Sequence, residues 1–253
     1  MKSRYFIQLS YKGTNYHGWQ IQPNALTIQE LVMKAFSTIL REKIEITGAG
    51  RTDTGVHAIN YIAHFDSDQT NLDQNKNLLF KINGLLPNDM VIQSINKVNP
   101  DAHARFDASS RTYNYYIHQQ KDPFLLDTSY FYTQNLDIEL MNQAANLLLN
   151  YNDFTSFSKL HTDVNTNNCV VKEAYWKKND YKLVFTITAD RFLRNMVRAI
   201  VGTLLDVGKG KISMDDFKQI ILNKNRSDAG VSVPAHGLFL VKIEYPENIY
   251  KTQ

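Results

Sequence analysis

Apolar residues at 28, 31, 32, 35, 36, 39 and 40 return at helical spacing, whereas Tyr5-Phe6-Ile7-Gln8-Leu9-Ser10-Tyr11 partly alternates with the period of a strand. A chain that carries both periods in turn is neither all-helical nor all-β. Lys43 to Thr47, Asn60 to Phe65 and Val91 to Lys97 read as further strands, and Asp73 to Leu85 as a second helix. Asn99-Pro100-Asp101 marks a joint. Beyond it, Tyr113 to Ile117 predicts a strand and Ile138 to Leu149 a helix. Val170 to Trp176 and Lys182 to Thr188 predict a hairpin with Asn179-Asp180 near its turn. Phe192 to Val207 predicts a long helix, Met214 to Leu222 a shorter one, and Leu238 to Ile243 a closing strand. Thr27-Ile28-Gln29-Glu30 has the capping-box pattern, and Gly208-Lys209-Gly210 reads as a helix stop. The mixture predicts an α+β fold with mainly antiparallel sheets. The order of elements echoes weakly across the joint, with no repeat in the sequence itself.

A chain of 253 residues buries enough surface to need no disulfide or metal staple. Cys169 is the only cysteine, which excludes a disulfide framework and a multi-cysteine zinc site. Between Asn168 and Val170 it reads as a strand residue. The N-terminal stretch reaches Gln8 and Ser10 too early for a signal peptide, and no run is long and apolar enough to span a bilayer. The expected location is the cytoplasm. The net charge of +3 is modest, but seven Lys/Arg stand against three acids between Lys172 and Arg198. Such a segment suits a polyanionic partner and equally a solvated strand pair and helix face.

The most informative stretch is Gly48-Ala49-Gly50-Arg51-Thr52-Asp53-Thr54-Gly55-Val56-His57-Ala58. Three glycines in eight residues, between two strands, allow a tight turn that presents side chains into a cleft. Phosphate loops do not fit. The dinucleotide pattern needs glycine where Asp53 stands, the P-loop needs Lys and Ser/Thr where Val56 and His57 stand, and a central carboxylate repels phosphate. Asp53-Thr54-Gly55 matches the aspartic-protease triplet, but those enzymes need two such carboxylates and there is no second triplet here. The residues alone leave two readings: a catalytic carboxylate, or a hairpin loop in which Asp53 merely accepts backbone N–H bonds.

This stretch closely resembles the active-site motif of the tRNA pseudouridine synthase A family, Ala-Gly-Arg-Thr-Asp followed by Gly-Val-His. Gly18-Trp19-Gln20 is similar to that family's N-terminal motif. His103-Ala104-Arg105-Phe106 with Arg111-Thr112-Tyr113 resembles the segment carrying its base-stacking tyrosine. Asp153-Phe154-Thr155-Ser156-Phe157, Met196-Val197-Arg198 with Ile200-Val201-Gly202, and Gly237-Leu238 resemble further blocks in the same order. Thr54 stands where alanine is common, and Arg194 and Asn195 stand where other polar residues are expected.

The resemblance implies two similar α+β halves meeting in a central sheet, with a catalytic cleft between them. The halves are expected at 1–104, carrying the catalytic loop, and 105–253, completing the RNA cleft. It further implies a homodimer that acts without cofactor or metal on the anticodon stem-loop of tRNA, at positions 38, 39 and 40 of that RNA. Asp53 is then the catalytic carboxylate, acting at the sugar as nucleophile, cation stabiliser or base. Arg198 is expected to pair with it, Tyr113 to stack on the flipped uracil, and Arg51 and Leu238 to contact substrate. Without the resemblance, Tyr113 would pass for a strand tyrosine and Arg198 for a surface helix arginine. His57 reads as a brace for the loop rather than a catalyst. The competing class is a non-catalytic RNA-binding protein on the same fold, against which the set of Asp53, Arg51, Tyr113 and Arg198 argues.

Overall fold

The computed structural model describes residues 2–159 and 166–250. The chain divides into two compact units, Met1–Ser109 with Leu240–Gln253, and Ser110–Phe239.

In the first unit, β1 (Ser3–Tyr11) is followed by α1 (Ile28–Leu40), β2 (Ile46–Gly48), β3 (His57–Ser67), α2 (Lys76–Asn83) and β4 (Met90–Lys97). The strands lie in the order β4-β1-β3, with β2 also on β3, and every one of these pairings is antiparallel. Ile7 faces Ala63 on one side and Ile95 on the other. The alternation in β1 sends Tyr5, Ile7, Leu9 and Tyr11 into the core, and Phe36 of α1 closes over it at 4.9 Å from the Phe65 ring. Both partners of β1 shift register near its C-terminal end, close to Leu9. Such bulges twist a strand and re-aim the side chains beyond.

Three boundaries differ from the local patterns. β2 keeps only the last residues of the 43–47 run before entering the loop, and the 73–85 helix breaks into a 3-10 turn over Leu72–Gln74 and the shorter α2. Thr27 does not build a capping box, since its side chain makes no cap bond. The first amides of α1 are met by tertiary carbonyls instead: Ile28 N–H donates to Gly18 at 3.2 Å and Gln29 N–H to Trp19 at 3.0 Å. Satisfied this way, the helix end needs no side-chain oxygen.

The second unit contains β5 (Ser110–His118), β6 (Tyr130–Phe131), α3 (Ile138–Leu147), β7 (Val171–Asn179), β8 (Lys182–Ala189), α4 (Met196–Gly208) and α5 (Met214–Asn223). Its strands run β5-β8-β7 antiparallel, with β6 parallel to β5. Asp180 takes a left-handed φ of +56° at the β7–β8 turn. β9 (Leu238–Glu244) starts in this unit, and its residues from Leu240 belong to the first. α4 is the core helix: of its 13 residues, all but Arg198 and Asp206 are buried. It begins at Met196 rather than Phe192 because Asn195 has φ +67°, outside the helical region. α5 does carry a true capping box, Ser213 with Asp216. The α+β class and the mainly antiparallel pairing follow the sequence reading.

Candidate active site

The loop between β2 and β3 is tied down on both flanks of Asp53. The Tyr61 hydroxyl donates to the Gly50 carbonyl, and Ala49 N–H to Ile62 at 2.9 Å. Thr52 is buried, its hydroxyl 2.9 Å from that of Tyr11, and its carbonyl accepts Trp19 N–H at 3.2 Å. Val56 N–H returns to the Asp53 carbonyl at 3.1 Å, closing a tight turn. With Thr52 turned inward, its neighbours Arg51 and Asp53 are left exposed and half-buried respectively. Beneath the loop, Trp19 stacks on Tyr61 at 4.2 Å, and both are buried together with Tyr11.

The segment from Lys12 to Trp19 forms the loop's other wall. Gly13 N–H donates to His57 Nδ1 at 2.9 Å, so that nitrogen carries the lone pair, and the His57 ring is fully buried. A side chain so enclosed braces the loop. Gly18 has φ +85°, and a methyl there would lie 2.3 Å from the Thr52 carbonyl oxygen, so the backbone can approach only because this residue is glycine. Tyr16 is buried and donates its hydroxyl to Asp89; burial first, then that bond, pushes its phenol well above the usual range. Lys12 N–H donates to the Asp89 carbonyl at 2.8 Å. Sequence reasoning passed over Tyr11, Tyr16, Tyr61 and Asp89, because each looks like an ordinary strand or loop residue until it meets the loop, and it marked Trp19 only as part of the Gly18-Trp19-Gln20 motif, not as a support.

In the second unit, Tyr113 stands on β5 opposite Ile187, half-buried, with its ring edge-on to Phe192 at 5.1 Å. Arg198 is one of two polar exceptions in α4. The other, Asp206, is accounted for by Lys209 at 2.8 Å and Lys211 at 3.1 Å. Arg198 Nε donates to the Val233 carbonyl at 2.7 Å, and Val233 N–H returns to the Arg198 carbonyl at 3.2 Å. The buried Tyr115 donates to Pro234 at 2.8 Å, just before Leu238 opens β9 as a buried residue. Burial raises the Tyr115 phenol, against the smaller opposing pull of the Arg198 charge. Asp53 and Arg51 therefore share one braced loop, while Arg198 and Leu238 flank one braced segment. The basic stretch lies partly in the open: Lys172, Lys177 and Lys178 are exposed on β7, with Lys177 Nζ 5.0 Å from the Tyr175 ring centre. Among the described residues, no three His, Cys, Asp or Glu side chains stand where they could hold a metal ion, and no helix is long and apolar enough to cross a membrane.

The sequence profile of a family described as tRNA pseudouridine synthase matches residues 8–107 and 144–246. Those segments contain the Asp53 loop, α4 and Leu238, while Tyr113 falls between them. The chain belongs to the tRNA pseudouridine synthase family. It is 57% identical over 249 residues to tRNA pseudouridine synthase A of Bacteroides fragilis, covering 98% of each chain. It is 54% identical to the Bacteroides thetaiotaomicron protein of that name, over 99% of this chain and 93% of the relative. The Parabacteroides distasonis protein of the same name is 53% identical, over 99% of each.

Proposed function

We propose that this protein isomerises uridine to pseudouridine in the anticodon stem-loop of tRNA, at positions 38, 39 and 40 of that RNA, with Asp53 as its catalytic carboxylate. The reading is carried by the bracing of the loop: Thr52 is held at both its hydroxyl and its carbonyl, and the turn after Asp53 is closed. A rigid mount is what a reacting carboxylate requires, since rate falls steeply when it is misplaced.

The reaction breaks the N1–C1′ bond, turns the uracil and forms a C5–C1′ bond; C5 loses a proton and N1 gains one. Nothing is oxidised and no co-substrate is consumed. Breaking the glycosidic bond builds positive character on the sugar, as in glycoside hydrolysis. Attack at C1′, stabilisation of the cation and removal of a sugar proton all need the same thing from the loop, a carboxylate at a fixed place. Tyr113 offers a face for the flipped base, Arg198 a guanidinium for Asp53, and Arg51 and Leu238 contacts to the substrate. The enzyme works as a homodimer in the cytoplasm, where its tRNA is found.

Asp53→Asn is nearly isosteric, so the loop should fold and tRNA should bind about as well. Single-turnover pseudouridine formation should fall by at least about a thousandfold, because an amide is a poor nucleophile and base and carries no charge. A rate within about tenfold of wild type would remove Asp53 from the mechanism. A wild-type protein that binds tRNA and forms no pseudouridine would favour the non-catalytic RNA-binding reading.

A further inference from the structure

Residues 229–237 form a strap across α4 and β5, fastened at points that the proposed chemistry does not require. Gly230 N–H donates to Thr203 Oγ1 at 2.9 Å, and the strap lies so close to α4 that a methyl on Gly202 would stand 1.9 Å from the Val231 carbonyl oxygen. Arg226 spreads its guanidinium over the strap's start, reaching Ala229 O at 3.3 Å, Gly230 O at 3.2 Å and Ser232 Oγ at 2.9 Å. Asn195 Nδ2 donates to the same Ser232 Oγ at 2.6 Å. A hydroxyl oxygen has two acceptor positions, and these two donors fill both. The next residue, Val233, exchanges two hydrogen bonds with Arg198.

Asn195 stands immediately before α4, where an asparagine ordinarily turns its side chain onto the first helical amides. It makes no such bond and holds a left-handed φ of +67°. Its amide is spent on Ser232 instead. We infer that Asn195, Ser232 and Arg226 are positioning residues for Arg198: together they lock the strap so that the Val233 carbonyl aims the guanidinium. The inference rests on the role proposed for Arg198 in pseudouridine formation.

Asn195→Gly is the sharpest probe, because glycine adopts a left-handed φ without strain and only the amide is lost. The variant should melt at or above the wild-type temperature and bind tRNA within about twofold. Its single-turnover rate should fall by at least about tenfold, as expected when a reacting group loses its alignment. In an Arg198→Ala background, the same change should cost less than about twofold, because nothing is left to aim; such non-additivity is the mark of two residues acting through one contact. Arg226→Gln should behave like Asn195→Gly in both backgrounds. A folded Asn195→Gly protein with the wild-type rate, or an equal loss in both backgrounds, overturns the inference and leaves Arg198 untouched. Wild-type turnover by Arg198→Ala alone would overturn the role of Arg198 and the inference with it.

Discussion

Gly18→Ala tests whether the wall of the loop sets the position of Asp53. A methyl at this site would stand 2.3 Å from the Thr52 carbonyl oxygen and 3.2 Å from the Asp53 carbonyl carbon. Gly18 has little room to retreat. Its carbonyl accepts Ile28 N–H at the start of α1, the Trp19 carbonyl accepts Gln29 N–H, and the Trp19 ring stacks on Tyr61. A close carbon–oxygen contact sits near about 3.3 Å, so the Thr52 carbonyl must move by roughly 1 Å. That carbonyl belongs to the residue preceding Asp53, and a shift of about 1 Å at a reacting group costs on the order of a hundredfold in rate. The left-handed backbone at φ +85° costs the fold about 1–2 kcal/mol as well. The assay is single-turnover pseudouridine formation, run beside tRNA affinity and thermal melting. Turnover should drop about a hundredfold while affinity changes by less than about threefold. A folded Gly18→Ala protein with wild-type turnover would refute the idea that this contact positions the carboxylate.

Tyr113→Phe should keep most RNA affinity and Tyr113→Leu should lose turnover by more than affinity, because only the first retains a ring to stack on uracil; equal activity of Leu and wild type would sink the stacking role. Replacing the exposed Lys177 and Lys178 together should weaken tRNA binding and flatten its salt dependence. An unchanged salt slope would mean that this edge of β7 faces solvent alone. His64 is buried, accepts Ala104 N–H at 3.2 Å, and is pushed down to about 4, chiefly by burial and then by the Arg4 charge. The unfolded chain takes up that proton nearer the ordinary value of about 6.5, so stability present above about pH 6.5 is lost as pH falls toward about 4. Denaturant melts at pH 7 and 4.5 should differ by on the order of 2 kcal/mol in the wild type and by clearly less in His64→Gln. Equal differences would show that other groups carry the acid sensitivity.

Sequence periodicity located α1, α3, α5, β1 and the β7–β8 hairpin, because each buries one face or turns at a residue such as Asp180 that tolerates a left-handed φ. It also isolated the Asp53 loop, since glycine spacing around a lone carboxylate is a property of neighbouring residues. Local pattern failed where partners come from afar. Thr27 carries the capping signal, yet carbonyls from Gly18 and Trp19 satisfy the helix amides, and no window around Thr27 contains them. Phe192 and Leu193 extend the apolar pattern of α4 backwards, but Asn195 leaves the helical region and spends its amide on Ser232, 37 residues away. The second half of β9 groups with the first unit although more than a hundred residues intervene, because strand pairing is decided by shape and burial rather than by proximity along the chain. By itself, then, the sequence singled out the Asp53 loop and, through its family resemblance, the blocks that carry Tyr113, Arg198 and Leu238. Only the tertiary structure decided what holds them, because the braces of Asp53 (Tyr11, Trp19, Tyr61 and His57) and of Arg198 (Val233, Ser232 and Asn195) are hydrogen bonds and ring contacts between residues that no local period connects.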